Sequence, residues 1–304
     1  MASTTTGLTN LMSIYYDKVF LDRAEAELVY DWGAQKRNIT ANSGKTVYFN
    51  RFSTLAAATT PLTEATDPSA VDMTTTIVSA TVASYGTYTI VSSLFNLTSI
   101  DENLKEHIEV LGYNAGFTMN TLIAAELSAN ATTQLAGGKS NVTAVAATDV
   151  LSSTEVKKAV RTLKRNYART FENGMYRGIV PVSAVYDLRG DATWLSAQIY
   201  TDASKVKNGQ IGSLHGVDFI EANLESTQSS TVTVYHTFIY GRNSFGIVNV
   251  ASQPEKFIYI KTPNENDTSN PLDLRSTIGW KMGSFAAKVL NANWIINIKT
   301  GVTA

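Results

Sequence analysis

The amino-acid sequence predicts an α+β fold. Two long stretches repeat apolar residues at three-to-four spacing, the period of an amphipathic helix, while several others alternate at a period of two, as half-buried strands do. The two kinds follow one another without the strand–helix–strand regularity of a parallel α/β sheet, and no internal repeat recurs at a fixed period.

Residues 8–32 come first. Leu8, Leu11, Tyr15, Val19 and Ala26 stand at helical spacing with Asp17, Asp22, Arg23, Glu25 and Glu27 between them, and Gly33 is the expected stop. The apolar residues spread around much of the circumference, more than a helix at the edge of a monomer needs, so a partner is expected to cover the rest. From Gly44 the period is two. Val47 and Phe49 alternate with Tyr48, Asn50 and Phe52, and Val78, Ala80, Val82, Tyr88 and Ile90 take alternate places farther on. Between these strands, residues 53–73 are polar, punctuated by proline and without an apolar face. An excursion of that length that builds no local core is either disordered or laid on a neighbour.

Asp101 is the expected N-cap of a helix over 102–128, with Leu104, Ile108, Leu111, Ala115, Met119 and Leu122 on one stripe. At ~1.5 Å per residue it is ~40 Å long, the longest element of the chain. After a loop with Gly137 and Gly138, Ser152 and Glu155 are spaced as a capping box for a helix to about Ala168, with Val156, Val160, Leu163 and Tyr167 inward. Residues 179–185 read as a strand with Pro181 at an edge, and a short helix is expected to begin near Asp191. Strands then dominate, over 217–221, 232–240, 257–261 and 294–298.

Composition narrows the function classes. The 304 residues are 44% hydrophobic but only 17% charged, with 25 basic against 26 acidic residues. A core is available, and disorder as the main state is excluded. No cysteine is present, which removes disulfides, thiolate metal sites and thiol nucleophiles together. No apolar run approaches the ~20 residues of a membrane span, and residues 1–10 have neither a basic patch nor an apolar core, so a soluble chain without a secretion signal is expected. A net charge of −1 supplies no global field towards nucleic acid. The surface must instead be polar and uncharged, which is cheap to desolvate and suits burial against partners.

Motifs for chemistry are scarce. Gly44-Lys45-Thr46 and Gly138-Lys139-Ser140 resemble the end of a phosphate loop, but the glycine required five residues earlier is Ile39 in one and Thr133 in the other. Gly44 is better read as a turn entering a strand. The three histidines, His107, His215 and His236, lack metal-ligand spacing; His236 shares a strand face with Val232, Val234 and Phe238 and reads as a packed, hydrogen-bonded core residue. No catalytic, cofactor or metal site is expected. One charge feature remains: Lys157, Lys158, Arg161, Lys164, Arg165 and Arg169 crowd one helix opposite its apolar stripe. This face suits phosphate, an acidic neighbouring subunit or solvent, and the lack of interleaved aromatics weighs against nucleic acid.

The order of these features, with particular residues along it, carries a resemblance. Those residues are Tyr16-Asp17-Lys18 and Arg23, Gly44-Lys45-Thr46-Val47 with Arg51-Phe52, and Pro61-Leu62-Thr63-Glu64. Farther on they are Tyr85-Gly86-Thr87-Tyr88, Leu111-Gly112, Gly212 with Gly216-Val217, Pro271-Leu272, Arg275, Gly279-Trp280-Lys281 and Ala287-Lys288-Val289-Leu290-Asn291. The chain resembles the major capsid proteins of tailed bacteriophages, the Hong Kong 97-type shell fold, and within them the N4-like branch. The resemblance implies an N-terminal arm (1–43) and an extended loop lying over an adjacent subunit (44–86). It implies a peripheral domain with a spine helix at about 102–128 (87–170), an axial domain (171–250) and a return to the peripheral domain (251–304).

The same resemblance implies a virion structural protein without enzyme activity or cofactor, assembled in the bacterial host cytoplasm. Copies would join as hexamers and pentamers of an icosahedral shell around double-stranded DNA, held without sequence specificity. A portal, and separate scaffolding or decoration proteins, are the other implied partners, and no membrane is. Tyr15, Asp17, Arg23, Lys45, Arg51, Leu62 and Glu64 are the candidate intersubunit contacts. Two departures matter: the arm opens almost at Met1, so scaffolding is expected to be a separate protein or absent, and no lysine–asparagine pair stands out for covalent crosslinking. A bacterial cargo-enclosing nanocompartment is the alternative of the same fold, and an α+β metabolic enzyme the alternative of another class.

Overall fold

The computed structural model describes Phe20, Arg23 and residues 28–39, 44–53, 55–62, 64, 66–98, 103–191, 212–250, 258–261, 271–272 and 274–303. The first strands are β1 (Gln35–Ile39), β2 (Thr46–Phe52), β3 (Thr75–Thr81) and β4 (Ala83–Ser92). Helices α1 (Ser93–Thr98) and α2 (Asn103–Asn130) follow, then β5 (Thr132–Leu135), α3 (Ser153–Arg165), β6 (Tyr176–Pro181) and α4 (Val182–Gly190). The chain continues through β7 (Ser213–Leu214), β8 (Val217–Ala222), β9 (Thr227–Ser229), β10 (Thr233–Tyr240) and β11 (Phe245–Val250). It closes with β12 (Ile258–Lys261), β13 (Arg275–Val289) and β14 (Ile295–Thr300).

These elements make the expected α+β fold. A five-stranded sheet is ordered β1-β11-β13-β12, with β4 also paired to the long β13; a seven-stranded sheet is ordered β5-β14-β10-β6-β8-β7, with β9 on β10; β2 and β3 form a separate hairpin. Helix α2, 28 residues long, packs its stripe between the sheets. Ile108, Leu111 and Ala115 are buried as their spacing predicts, Ile123 and Leu127 extend the stripe, and all pack with Phe238, Tyr240 and Ile295 of one sheet and Ile278, Trp280 and Phe285 of the other. Polar residues of α2 tie the layers further: Asn114 Oδ1 accepts from the Trp280 indole at 3.0 Å, and Glu126 accepts from the Val289 amide at 3.2 Å. On the far face of the seven-stranded sheet, Val156, Ala159 and Leu163 of α3 and Ala184, Val185 and Leu188 of α4 pack on Ile239, Ile296 and Ile298.

Several expectations need correction. The first helix was expected to reach residue 32, but Leu28 and Val29 are already non-helical, although Phe20 and Arg23 are helical. The amides of Val29 and Tyr30 donate to Asn120 Oδ1, at 3.3 and 3.1 Å, and the chain turns at Gly33 with φ 85°. Leu8, Leu11, Tyr15, Asp17, Val19 and Ala26, like the expected N-cap Asp101, lie outside the described residues.

The helix expected to run to Ala168 stops at Arg165, because Asn166 caps it and Tyr167 adopts φ 53°, which turns its ring outward to 87% exposure instead of inward. Ser152 is the N-cap residue, but the capping box does not close. Glu155 binds Lys158 at 2.7 Å and Gln134 at 2.8 Å, and the amide of Ser153 donates to the distant Asp191 at 2.9 Å. Finally, the strand expected over 179–185 ends at Pro181, and the helix expected near 191 begins at Val182. The β10 ladder along β6 extends only to Ile179, so Pro181 sits beyond it and serves as the N-cap of α4.

Candidate interaction surfaces

The β2–β3 hairpin has two unlike faces. Val47, Phe49, Val78 and Ala80 point at the body and pack with Val82, Val248, Ala286 and Leu290. Phe49 is the anchor: its ring lies over Gly246, where an added Cβ would stand 2.8 Å from Cζ, and the Arg37 guanidinium covers it 4.9 Å from the ring centroid. Arg37 also donates to the Tyr48 carbonyl at 2.8 Å. On the opposite face Tyr48, Ile77 and Phe52 lie diagonally across the two strands, all exposed.

Beyond the hairpin, Ser53 and Thr74 close the mouth of the excursion by an amide-to-carbonyl bond of 2.9 Å and a hydroxyl pair at 2.8 Å. Every described residue from there to Thr74 is exposed, including Leu55, Leu62 at 75%, Val71 and Met73. The sequence reading of a coreless excursion thus matches the structure, and Gly44 with φ 91° is the turn that enters β2. Of the candidate contact residues, Lys45, Arg51, Leu62 and Glu64 are all exposed on this hairpin and its excursion, and among the described residues none of the three charged ones is in an ion pair. Arg23 lies elsewhere, over the Tyr113 ring of α2 at 5.6 Å. Gly112 permits that approach, since a Cβ there would stand 2.9 Å from the Phe20 carbonyl.

A second apolar surface escaped the sequence reading. On the outer face of the five-stranded sheet Tyr88 is paired with Gly279, and Gly279 in turn with Tyr259 on the next strand, so two exposed tyrosines flank a glycine; Ile90 is exposed one step along, opposite Thr277. The alternation that put Tyr88 and Ile90 in register with Val78 and Ala80 breaks at Val82, which stands outside both strands. An extra residue in β13 between Met282 and Phe285 then bulges the ladder. Neither break is written in the residue types.

The basic face is real. Lys157, Arg161, Lys164 and Arg165 are exposed on one side of α3, Arg169 follows after the turn, and Lys158 is half-buried and held by Glu155. Among the described residues the other five are in no ion pair, while Tyr167 stands exposed between Arg165 and Arg169, so an aromatic does interleave the cluster, contrary to the expectation.

His236 and His215 hold structural positions. His236 is 4% exposed, its Nδ1 lies 3.3 Å from the Asn297 amide and its ring meets Phe238 edge-on at 6.1 Å. Burial first, and the Lys299 charge second, push its pKa down to about 4. His215 and Gly216, both at positive φ, form the two-residue turn between β7 and β8. Burial and then the neighbouring Lys157 lower the His215 pKa. Among the described residues no group of His, Asp or Glu is placed to hold a metal ion, and no helix is long and apolar enough to cross a membrane.

The described fold as a whole is similar to those of solved phage capsids. The capsid of Ralstonia phage GP4 is similar with a TM-score of 0.70 at 11% identity, over 91% of this chain and 92% of that one. The capsid of Cyanophage P-SCSP1u gives 0.67 at 12% identity over 91% and 89%. The virus-like particle from Pyrococcus furiosus gives 0.51 at 9% identity over 92% and 96%. At such identities the likeness is one of fold, and no curated protein matches the sequence. The family model for phage capsid proteins, however, matches residues 33–267 of the 304, and the chain therefore belongs to the phage capsid protein family, with the Hong Kong 97-type shell fold.

Proposed function

We propose that this protein is the major building block of an icosahedral shell, made of hexamers and pentamers, that encloses a double-stranded DNA genome. The observation that carries the reading is the hairpin and its excursion: a folded arm that buries only its base on its own subunit and exposes Tyr48, Phe52, Ile77 and Leu62 needs a neighbour to cover it. Family membership supplies the kind of neighbour, another copy of the same chain. Many polar, shape-matched contacts closed by symmetry give a shell that is strong in sum while each contact stays reversible.

The division into an arm (1–43), an extended loop (44–86), a peripheral domain (87–170), an axial domain (171–250) and a peripheral return (251–304) belongs to this proposal, as does the N4-like branch. In it β14 carries the returning chain across into the seven-stranded sheet. Tyr15, Asp17, Arg23, Lys45, Arg51, Leu62 and Glu64 act as intersubunit contacts, and the basic face of α3 meets an acidic neighbour or the genome. The subunit works without catalysis, in the virion after assembly in the host cytoplasm, beside a portal and separate scaffolding or decoration proteins.

Electron microscopy of the purified protein under assembly conditions tests the reading: closed shells are expected, and small fixed oligomers alone would overturn it. Copurification separates the genome container from the cargo compartment, since the first carries DNA and the second an enzyme.

A further inference from the structure

The chain carries a net charge of −1, yet its charges are segregated. From Ser53 to Thr74 the excursion has Glu64, Asp67 and Asp72 and no Lys, Arg or His. All three carboxylates are exposed, and among the described residues none is in an ion pair. The solvent side of α3 and the turn after it hold the reverse: Lys157, Arg161, Lys164, Arg165 and Arg169, exposed and likewise in no ion pair among the described residues. Elsewhere several charges are paired, as in Lys36–Asp31, Lys288–Glu126 and Arg189–Glu221, although Lys45 and Arg51 of the hairpin are in no ion pair among the described residues.

We propose that the acidic excursion of one subunit docks on the basic face of α3 of a second copy. The inference rests on the shell reading and names the receptor surface for its projecting arm. Charge complementarity selects a second copy of this chain as the occupant, because opposite unpaired fields steer encounter and penalise wrong registers. The apolar residues that share each surface, Leu62, Val71 and Met73 on the excursion and Tyr167 beside Arg165, give the contact area that exposed ion pairs alone lack. Donor and acceptor are different surfaces, so the contact is heterologous and closes into rings through rotational symmetry. Every subunit then gives one arm and receives one.

A charge swap tests it, with particle yield read by sedimentation and electron microscopy and the fold checked by circular dichroism. Closed shells from the unaltered chain establish the shell reading separately; their absence would sink that reading and not this contact alone. R161E/R165E, and separately E64K/D67K/D72K, are each expected to lower particle yield about tenfold or more, through loss of attraction in a contact repeated across the shell. Combining E64K/D67K/D72K with K157E/R161E/K164E/R165E, which leaves Arg169 as the one cation of a now acidic face, restores the attraction with its sign reversed and is expected to recover most of the yield. Normal shells from R161E/R165E, or a combined variant no better than either half, would overturn the proposal. Shells that form normally from R161E/R165E but fail to retain DNA would overturn it in favour of a genome-facing helix.

Discussion

The seven-stranded sheet and the β2–β3 hairpin are built from the same strand-forming residue types and reach opposite ends. In the sheet both faces are covered: every residue of β14 is buried, with α3 and α4 on one side and α2 on the other. In the hairpin one face is covered over the span of Phe49 and Ala80, and the excursion beyond is bare. Strand sequence therefore sets pairing, while the number of layers laid on it decides whether the stability is supplied by the subunit or by its assembly. Substitutions in the two regions are expected to separate folding from assembly.

The largest expected effect lies in the sheet. Phe238→Ala empties a fully buried site between β10 and α2 and is expected to cost about 3–5 kcal/mol in urea unfolding, enough to prevent shells by unfolding the subunit. Acid weakens the same region by another route. The His236 pKa lies below its ordinary value because the folded environment disfavours the charge, so the folded state binds the proton less well than the unfolded one. Stability is whole above the ordinary imidazole pKa of 6.5 and falls as pH drops towards 4, by about 3 kcal/mol in all. His236→Gln is expected to flatten that pH dependence.

Phe49→Ala probes the junction between the two regions. Its removal unties the hairpin from Gly246, and the expected readout is lost amide protection over 46–52 and 75–81, with a global cost of about 2 kcal/mol or less. The smallest effect belongs to the excursion: Leu62→Asp is expected to change subunit stability by no more than about 0.5 kcal/mol while particle yield drops. Equal losses of stability from Leu62→Asp and Phe238→Ala would erase the contrast.

Sequence periodicity located the elements whose burial is local in pattern. The stripe of α2, the inward Val156, Val160 and Leu163 of α3, and the alternation around Phe49 were all legible because one face meets one layer. What escaped depends on distant partners. Asn120 receives the Val29 and Tyr30 amides, Asp191 caps α3, and β13 hides behind Gly279 and a bulge that makes sense only beside β4. Pro181 is a signal of this kind: it ends a strand, but only the extent of the β10 ladder shows that it also starts a helix. The bare excursion was legible through the absence of an apolar face over 53–73. The outer tyrosines, Tyr88 and Tyr259, were not, since they meet across strands far apart in the chain.

The position of β14 bears on the timing of synthesis. It lies between β5 and β10 inside the seven-stranded sheet, yet among the described strands it comes last in chain order. A chain cut short before Ile295 lacks the strand that joins the edge strand β5 to β10 and that α2 and α3 pack against, so it cannot complete the body that carries the hairpin. Products terminated before that strand would be left for proteolysis instead of entering a lattice as defects, and assembly would draw only on copies synthesised through Ile295–Thr300.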